Sequence, residues 1–219
     1  MGKSRLLDLF CCAGGAGTGY ARSGFDVVGV DIDPQPNYPY EFHQADALEF
    51  LAEHGHEFDA IHASPPCQQF TAYGRSDTRG WRDNYLDFLP QTQAALDQYD
   101  VPWVIENVPG APLRDPMQLC GSSFGLDVRR HRLFESNVPL MSIPCDHAWQ
   151  TPRFAPASNR SNLRRTVEVG VWRIPLEVQQ EAMGMDWTTL RELSEAIPPA
   201  YTEFIGRQLL AHINQEAAA

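Results

Sequence analysis

The stretch DLFCCAGGAGTG, residues 8–19, decides the fold of this chain. Together with the preceding residues it predicts a strand over 4–10, and the pattern over 13–24 predicts a glycine turn that opens a helix. Glycine lets the backbone turn tightly and approach a ligand, and the N-terminus of the helix favours negative charge. A strand, a glycine turn and a helix in this order are typical of a nucleotide-binding α/β protein.

The rest of the chain continues the alternation of strands and helices. Short apolar runs predict further strands over 26–33, 58–63 and 101–108. Helical patterns lie over 47–55 and 84–99, and Pro90 is a candidate kink in the second of them. This rhythm predicts an α/β fold with a doubly wound, mostly parallel sheet, covered on both faces in the Rossmann-like manner.

The chain divides by composition into three parts. Residues 1–134 contain the strands and are expected to form the core. Residues 135–172 are rich in proline, serine and arginine, which predicts a small irregular segment. Residues 173–219 return to helical spacing and are expected to pack back on the core.

Charge and cysteine content limit the function classes. The formal net charge of −11 argues against a polyanionic partner, but many of the arginines are concentrated between residues 129 and 173. No apolar run approaches the length of a membrane span. Five cysteines without a CxxC pair disfavour a disulfide framework and favour a reducing, cytoplasmic setting. Cys145 and His147 resemble half of a metal site, but no second half is evident in the sequence, so no metal is expected.

Two acidic residues strengthen the nucleotide interpretation. Asp31 ends the second predicted strand, where a carboxylate can accept hydrogen bonds from ribose hydroxyls. Asp46 follows the next strand-like piece and is placed either to meet an adenine amino group or to cap a helix. The glycines do not choose between a dinucleotide and S-adenosylmethionine.

The stretch ASPPCQQF, residues 63–70, places Cys67 behind two prolines just after a predicted strand. Prolines stiffen the backbone, which suits a nucleophile better than a packing cysteine. Glu106 follows another apolar strand, and burial would raise its pKa toward that of a proton donor near neutrality. Arg130 and Arg132 alternate on a strand-like piece and are expected to point the same way.

These three residue types suit one reaction. A cytosine becomes electrophilic at C6 when N3 is protonated and O2 is held by a cation. A thiolate can then add at C6, and the resulting enamine accepts a methyl group at C5. Each residue alone has an ordinary structural explanation, but the combination is far less expected by chance.

At this point the chain resembles the S-adenosylmethionine-dependent C5-cytosine DNA methyltransferases. The resemblance covers most of the chain in motif order. It rests on DLFCCAGGAG, VVGVDIDP, SPPCQQF, IENVPG, RRHRLF, RIPLEVQQEAMGM and AIPPAYTEFIG. It implies a monomeric DNA-methylating enzyme that binds S-adenosylmethionine and rotates its target cytosine out of the duplex.

The resemblance also implies roles for individual residues. Cys67 is the nucleophile, Glu106 contacts N3 and the amino group, and Arg132 holds O2. Arg130 braces the site. The implied cofactor contacts are Phe10, Gly14, Gly15, Gly17, Asp31, Ile32, Asp46, Pro66, Glu195 and Ala196. The implied substrate contacts are Ser64, Gln69, Arg153, Arg164 and Arg165.

Three departures from the family pattern bear on function. Val128 stands where the family usually has a glutamine, and Glu195 stands where it usually has an asparagine near the cofactor. Residues 135–172 are too few for a separate target-recognition domain, so we expect a target of at most a dinucleotide. The alternatives are a tRNA cytosine methyltransferase, a non-catalytic DNA-binding relative, and a nicotinamide-dependent dehydrogenase.

Overall fold

The computed structural model describes residues 2–71, 86–151 and 164–217. Its main sheet has seven strands in the order β3-β2-β1-β4-β5-β7-β6. The strands are β1 Arg5–Leu9, β2 Asp26–Asp31, β3 Glu41–Gln44, β4 Ala60–Ala63, β5 Trp103–Asn107, β6 Met117–Leu119 and β7 Arg132–Ser136. A two-stranded parallel sheet pairs β8 Gln150–Thr151 with β9 Arg164–Arg165.

The strands from β3 to β5 run parallel, and β7 is antiparallel to both of its neighbours. The chain leaves β1 toward β2 on one side and returns to β4 on the other. The carboxyl ends of β1 and β4 therefore flank a crevice where ligands bind in open α/β sheets. The predicted doubly wound, mostly parallel sheet is confirmed.

Six helices lie in the described parts of the chain. They are α1 Gly15–Ser23, α2 Ala47–His54, α3 Leu89–Leu96, α4 Leu176–Met183, α5 Leu190–Glu195 and α6 Pro199–Glu216. Alternate strand residues face opposite sides, so Leu7 and Leu9 pack toward α2 and α3, while Leu6 packs with residues of α1 and α6. Among the described residues, no helix combines the length and apolar character that membrane crossing requires.

The structure corrects the sequence prediction in two places. Pro90 does not kink a helix over 84–99, because α3 begins at Leu89 and the proline lies in its first turn, where no backbone donor is needed. Strand β6 and the short helix α5 were not predicted as separate elements, and the strand-like piece expected around Arg130 and Arg132 begins only at Arg132, as β7. They are only three to six residues long, and such short elements leave little periodicity in the sequence.

Candidate active site

A cavity of about 650 Å³ opens at the carboxyl ends of the central strands. Residues that directly follow β1, β2 and β4 line it, together with the end of β5 and residues of α5. Of the residues predicted for the site, those that line the cavity are Phe10, Gly15, Asp31, Ile32, Ser64, Pro66, Cys67, Glu106, Arg132, Glu195 and Ala196. The fold therefore gathers residues that are far apart in the sequence around one space.

The loop that carries Cys67 is fixed at both of its neighbouring strands. The Ser64 amide donates to the Leu9 carbonyl at 3.1 Å, and the Asn107 side-chain amide donates to the Pro65 carbonyl at 3.1 Å. Cys67 then opens a single 3-10 turn over Gln68–Phe70. The thiol is thus held on a short, stiff connection at the cavity, half-buried.

The Cys67 thiol is protonated near neutrality in this environment. Burial raises its pKa, and the nearby Glu106 carboxylate raises it further, while Arg132 opposes both effects. Neutralising Glu106 would remove one of the two effects that disfavour the thiolate. The reactivity of Cys67 therefore depends on the charge state of its neighbours.

Glu106 and Arg132 form an ion pair inside the cavity. The Arg132 Nε atom lies 3.0 Å from Oε1 of Glu106, whose residue is only 7% exposed. Burial raises the pKa of Glu106, and the charge of Arg132 and a hydrogen bond from Ser64 offset part of that rise. Glu106 is thus a carboxyl group that can exchange a proton closer to neutrality than an exposed glutamate can.

A chain of buried hydrogen bonds supports Glu106 from behind. The Tyr20 hydroxyl lies 3.0 Å from Nδ1 of His62, and Nε2 of His62 lies 2.9 Å from the Ser64 hydroxyl. Burial lowers the pKa of His62 to about 3, so its ring is neutral and has one donor and one acceptor. If Tyr20 donates to Nδ1, then Nε2 donates to Ser64 and the Ser64 hydroxyl is directed at Glu106.

Arg130 does not line the cavity beside Arg132, although their alternation in the sequence predicted that both side chains point the same way. β7 begins at Arg132, and Arg130 lies before it. The Arg130 guanidinium donates to the backbone oxygens of Ser194 and Ala196 at 2.6 and 2.7 Å. Burial and the charge of Arg132 lower the pKa of Arg130 to about 9, which leaves it charged at neutral pH. It holds the C-terminal end of α5 against the start of β7.

The turn between β1 and α1 is shaped by unusual backbone angles. Phe10 and Cys12 have φ values of 56° and 44°, in the left-handed region that non-glycine residues seldom adopt. The Asp31 carboxylate accepts from the amides of Cys12 and Asp33, each at 3.0 Å. Asp31 therefore ties the first two strand ends together while it lines the cavity.

The glycines of this turn serve packing more than ligand approach. Gly14 and Gly17 do not line the cavity, and a Cβ at either one would lie 2.9 or 2.8 Å from the ring or hydroxyl of Tyr38. Gly15 does line the cavity, and a Cβ there would press on the backbone of Ile197. Of the three glycines, only Gly15 has a position that allows contact with a ligand in the cavity, and its role as a cofactor contact stays a prediction.

Asp46 has the capping geometry that the sequence left open as an alternative. Its Oδ1 accepts from the amides of Leu48 and Glu49 at 2.9 and 3.0 Å, at the start of α2. It does not line the cavity. A helix cap accounts for its position.

Asp8 is a residue of the cavity that the sequence interpretation missed. It is fully buried, and its Oδ2 accepts from the Tyr38 hydroxyl at 3.2 Å. Burial raises its pKa to about 8. Asp8 lines the cavity, and its buried Oδ1 has no hydrogen-bond partner in the described parts of the chain. The signal was a charged residue inside an otherwise apolar strand.

The cavity suits a ligand that carries positive charge and hydroxyl groups. Asp31, Asp33, Glu192 and Glu195 line it, and Asp8 adds an acceptor without a partner. S-adenosylmethionine carries a sulfonium, an ammonium and two ribose hydroxyls, which match acidic acceptors. Glu195 would repel the carboxylate of that molecule and is better suited to its ammonium group.

Val128 is 1% exposed and packs with Met183, Met185 and Leu193 behind the cavity. A glutamine at this position would bury its amide among apolar side chains. Valine, in place of the glutamine that is usual in the family, therefore suits the apolar surroundings of this position.

The predicted substrate contacts are only partly described by the structure. Gln69 lies in the turn after Cys67, away from the cavity lining. Arg164 and Arg165 form β9, for which the backbone alone is described. Arg153 lies outside the described residues. Arg129 donates to the side chain and backbone of Gln150, both at 3.3 Å, so it holds β8 in place.

Comparisons with known proteins bear on the family of this chain. A sequence model of the C-5 cytosine-specific DNA methylase family matches residues 4–116. The type II methyltransferase M.HgiDI of Herpetosiphon aurantiacus is 30% identical over 55% of this chain, which spans only 42% of that relative's length. M.HgiGI of the same organism is 30% identical over 50% of this chain and 94% of its own length.

The fold is also found among solved structures. A prophage-encoded protein of E. coli, described as a DNA modification methyltransferase, superimposes with a TM-score of 0.65 at 16% identity, covering 96% of this chain and 99% of that one. At this identity the likeness shows the fold alone. The family match covers just over half of the residues and includes both Cys67 and Glu106. The chain belongs to the C-5 cytosine-specific DNA methylase family.

Proposed function

We propose that this protein transfers a methyl group from S-adenosylmethionine to C5 of a cytosine in DNA. The observation that supports this most is that Cys67, Glu106 and Arg132 line one cavity together with Asp31 and the Phe10 turn. A nucleophile, a proton donor and a cation are thus brought near a space that suits the cofactor. When bound, S-adenosylmethionine supplies an electrophilic methyl group on sulfur.

The base is activated by two groups of the chain. Protonated Glu106 donates to N3 of the cytosine, and Arg132 binds O2, which draws electron density from C6. The Cys67 thiol loses its proton to solvent, the thiolate adds to C6, and the electron pair moves to C5. C5 takes the methyl group as the bond from that group to the sulfonium breaks, which leaves a neutral thioether. C5 then loses its proton to solvent, the bond from Cys67 to C6 breaks to release the thiolate, and the N3 proton returns to Glu106, which restores the ring.

The ion pair between Glu106 and Arg132 accounts for the timing of these events. While Glu106 is ionised, it occupies Arg132 and disfavours the Cys67 thiolate. Protonation of Glu106 weakens the pair, leaves Arg132 free to bind O2, and removes the charge that opposes the thiolate. One proton on Glu106 thus prepares all three groups.

We further propose that the enzyme acts on a base rotated out of duplex DNA and reads at most a short target. Residues 135–172 are too few for a separate target-recognition domain that contacts several base edges. Arg153, Arg164 and Arg165 would face the phosphate backbone, which positions the protein without reading sequence. Bisulfite sequencing of treated DNA tests this, and a strict site of four or more bases would contradict it.

The decisive experiment is covalent trapping. The protein is mixed with S-adenosylmethionine and DNA that contains 5-fluorocytosine, and the product is denatured. Because fluorine cannot leave C5 as a proton does, the enzyme stays attached through its thiol. We expect an adduct from the wild type and none from Cys67→Ser.

Cys12→Ser is the matched control, since its thiol lines the same cavity, and its adduct should persist. An adduct formed equally by Cys67→Ser would refute the mechanism. An adduct with fluorinated tRNA but not with DNA would replace the DNA substrate with RNA. No adduct with either would favour a non-catalytic DNA-binding relative.

A further inference from the structure

Four side chains of types that can ligate a metal meet outside the cavity. Cys120, His131, Cys145 and His147 each bring one ligand atom into a group in which all four atoms lie within 4.8 Å of one another. The Cys120 sulfur lies 3.3 Å from Nε2 of His147, and the Cys145 sulfur lies 3.3 Å from Nε2 of His131. The expectation that Cys145 and His147 lack a second pair of ligands is therefore wrong.

The sheet brings the two pairs together. Cys120 directly follows β6 and His131 directly precedes β7, and these strands pair with Leu119 opposite Arg132. In an antiparallel pair, the end of one strand lies beside the start of the other. Cys120 and His131 are therefore adjacent, although ten residues separate them in the sequence. The later segment is anchored there by Ser123, whose hydroxyl donates to the Ile143 and Pro144 carbonyls at 3.2 and 3.0 Å.

We propose that these four residues bind a structural zinc ion. Two thiolates and two imidazoles in a tetrahedral arrangement are a zinc donor set, and a site with four protein ligands has no open position for catalysis. With Zn–S and Zn–N distances of about 2.3 and 2.0 Å, sulfur and nitrogen ligands of one ion lie about 3.5 Å apart. The two observed separations of 3.3 Å are close to this value.

The surroundings of the sulfur atoms are compatible with a metal thiolate. The Ser122 hydroxyl donates to the Cys120 sulfur at 3.2 Å, as a second-layer donor to a zinc-bound sulfur does. As a thiol, Cys120 can also donate to the Arg129 carbonyl at 2.7 Å, a contact that zinc binding would replace. None of the four ligands lines the cofactor cavity, so the site is separate from the reaction.

The ion would fix the part of the molecule that departs most from the family pattern. His131 lies between Arg130 and Arg132, and Cys145 and His147 lie just before β8. Zinc would therefore fasten the start of the 135–172 segment to the strand that carries Arg132. Small domains with little core of their own often use a metal in this way.

Metal analysis of the purified full-length protein tests the proposal. We expect about one zinc ion per chain, and a loss to near zero in Cys145→Ser and in His147→Asn. Cys67→Ser and His56→Asn are the matched controls, and both should keep the metal. Cys67 lies in the cavity, and His56 is exposed in the short turn that follows α2. Failure of the catalytic proposal would leave this result unchanged.

Cobalt substitution gives a second measurement that does not depend on yield. Co²⁺ added to the chelator-treated protein should give the intense visible bands of a tetrahedral cobalt thiolate site, and Cys145→Ser should lose them. Circular dichroism of each variant shows whether it is folded. Wild-type protein without bound zinc and without these bands would overturn the proposal.

Discussion

Asp8→Asn should make the protein more stable at neutral pH, and the gain should depend on pH in a defined way. Asp8 is fully buried, and burial raises its pKa from 3.8 to about 8. In the unfolded chain the carboxyl group ionises near its ordinary pKa. Between these two values the folded protein binds one more proton than the unfolded chain, so the free energy of unfolding falls as pH rises.

The size of the effect follows from the same numbers. Each pH unit within this window costs the folded state about 1.4 kcal/mol, so the cost at pH 7 is at most about 4 kcal/mol. Asparagine stays neutral at every pH and removes this dependence. Loss of the Asp8 contact with the Tyr38 hydroxyl lowers stability by an amount that does not change with pH, so the slope is the quantity to measure.

Urea unfolding at pH 5, 6, 7 and 8, followed by tryptophan fluorescence, provides the assay. The difference in free energy of unfolding between Asp8→Asn and wild type should grow by about 1.4 kcal/mol per pH unit up to pH 7. Asp26→Asn, at an exposed strand end, is the control and should give only a small difference. A difference at Asp8 that does not change from pH 5 to pH 7 would refute the argument that this carboxyl is held neutral.

Two further substitutions test the site and its packing. Glu106→Gln should lower turnover by about 10²–10⁴-fold, because the amide cannot donate a proton to N3. The same change should raise the free energy of unfolding above pH 5, because the pKa of Glu106 is raised in the folded protein. Turnover that is unchanged in a radiolabel-transfer assay would contradict the role of Glu106. Gly19→Ala should lower the free energy of unfolding by roughly 1–3 kcal/mol, because the added Cβ would clash with Pro199 and Thr202 of α6. Gly2→Ala is the control in thermal melts, since a Cβ at Gly2 would have no atom within 4 Å.

The parallel core and the residues that follow its strands could be predicted from the sequence, because each strand is an apolar run that ends at a polar or glycine-rich turn. Cys67, Asp31 and Glu106 follow or end such runs, and parallel strands bring their carboxyl ends together. That rule needs only the order of the elements. The roles of these residues in catalysis stay predictions.

The parts that could not be predicted depend on strand direction and on burial in three dimensions. Arg130 and Arg132 look equivalent in sequence, but a strand that begins at Arg132 leaves Arg130 to bind the end of α5. The four possible zinc ligands are spread over residues 120–147. The pairing of β6 with β7 brings Cys120 and His131 together, and the contacts of Ser123 with the 143–144 backbone hold the segment of Cys145 and His147 beside them. His62 reads as part of an apolar strand, and nothing in the sequence indicates its contacts with Tyr20 and Ser64.

The reversed direction of β7 has a consequence for how such proteins vary in size. Because β7 is antiparallel to β5, it begins at the end of the sheet where β5 finishes, and Arg132 lies beside Glu106. The strand then carries the chain to the opposite end of the sheet. Any extra residues inserted after Ser136 begin their path there, a full strand length from the chemistry. A target-recognition segment can therefore be lengthened or shortened after the end of β7 while the reacting groups keep their spacing.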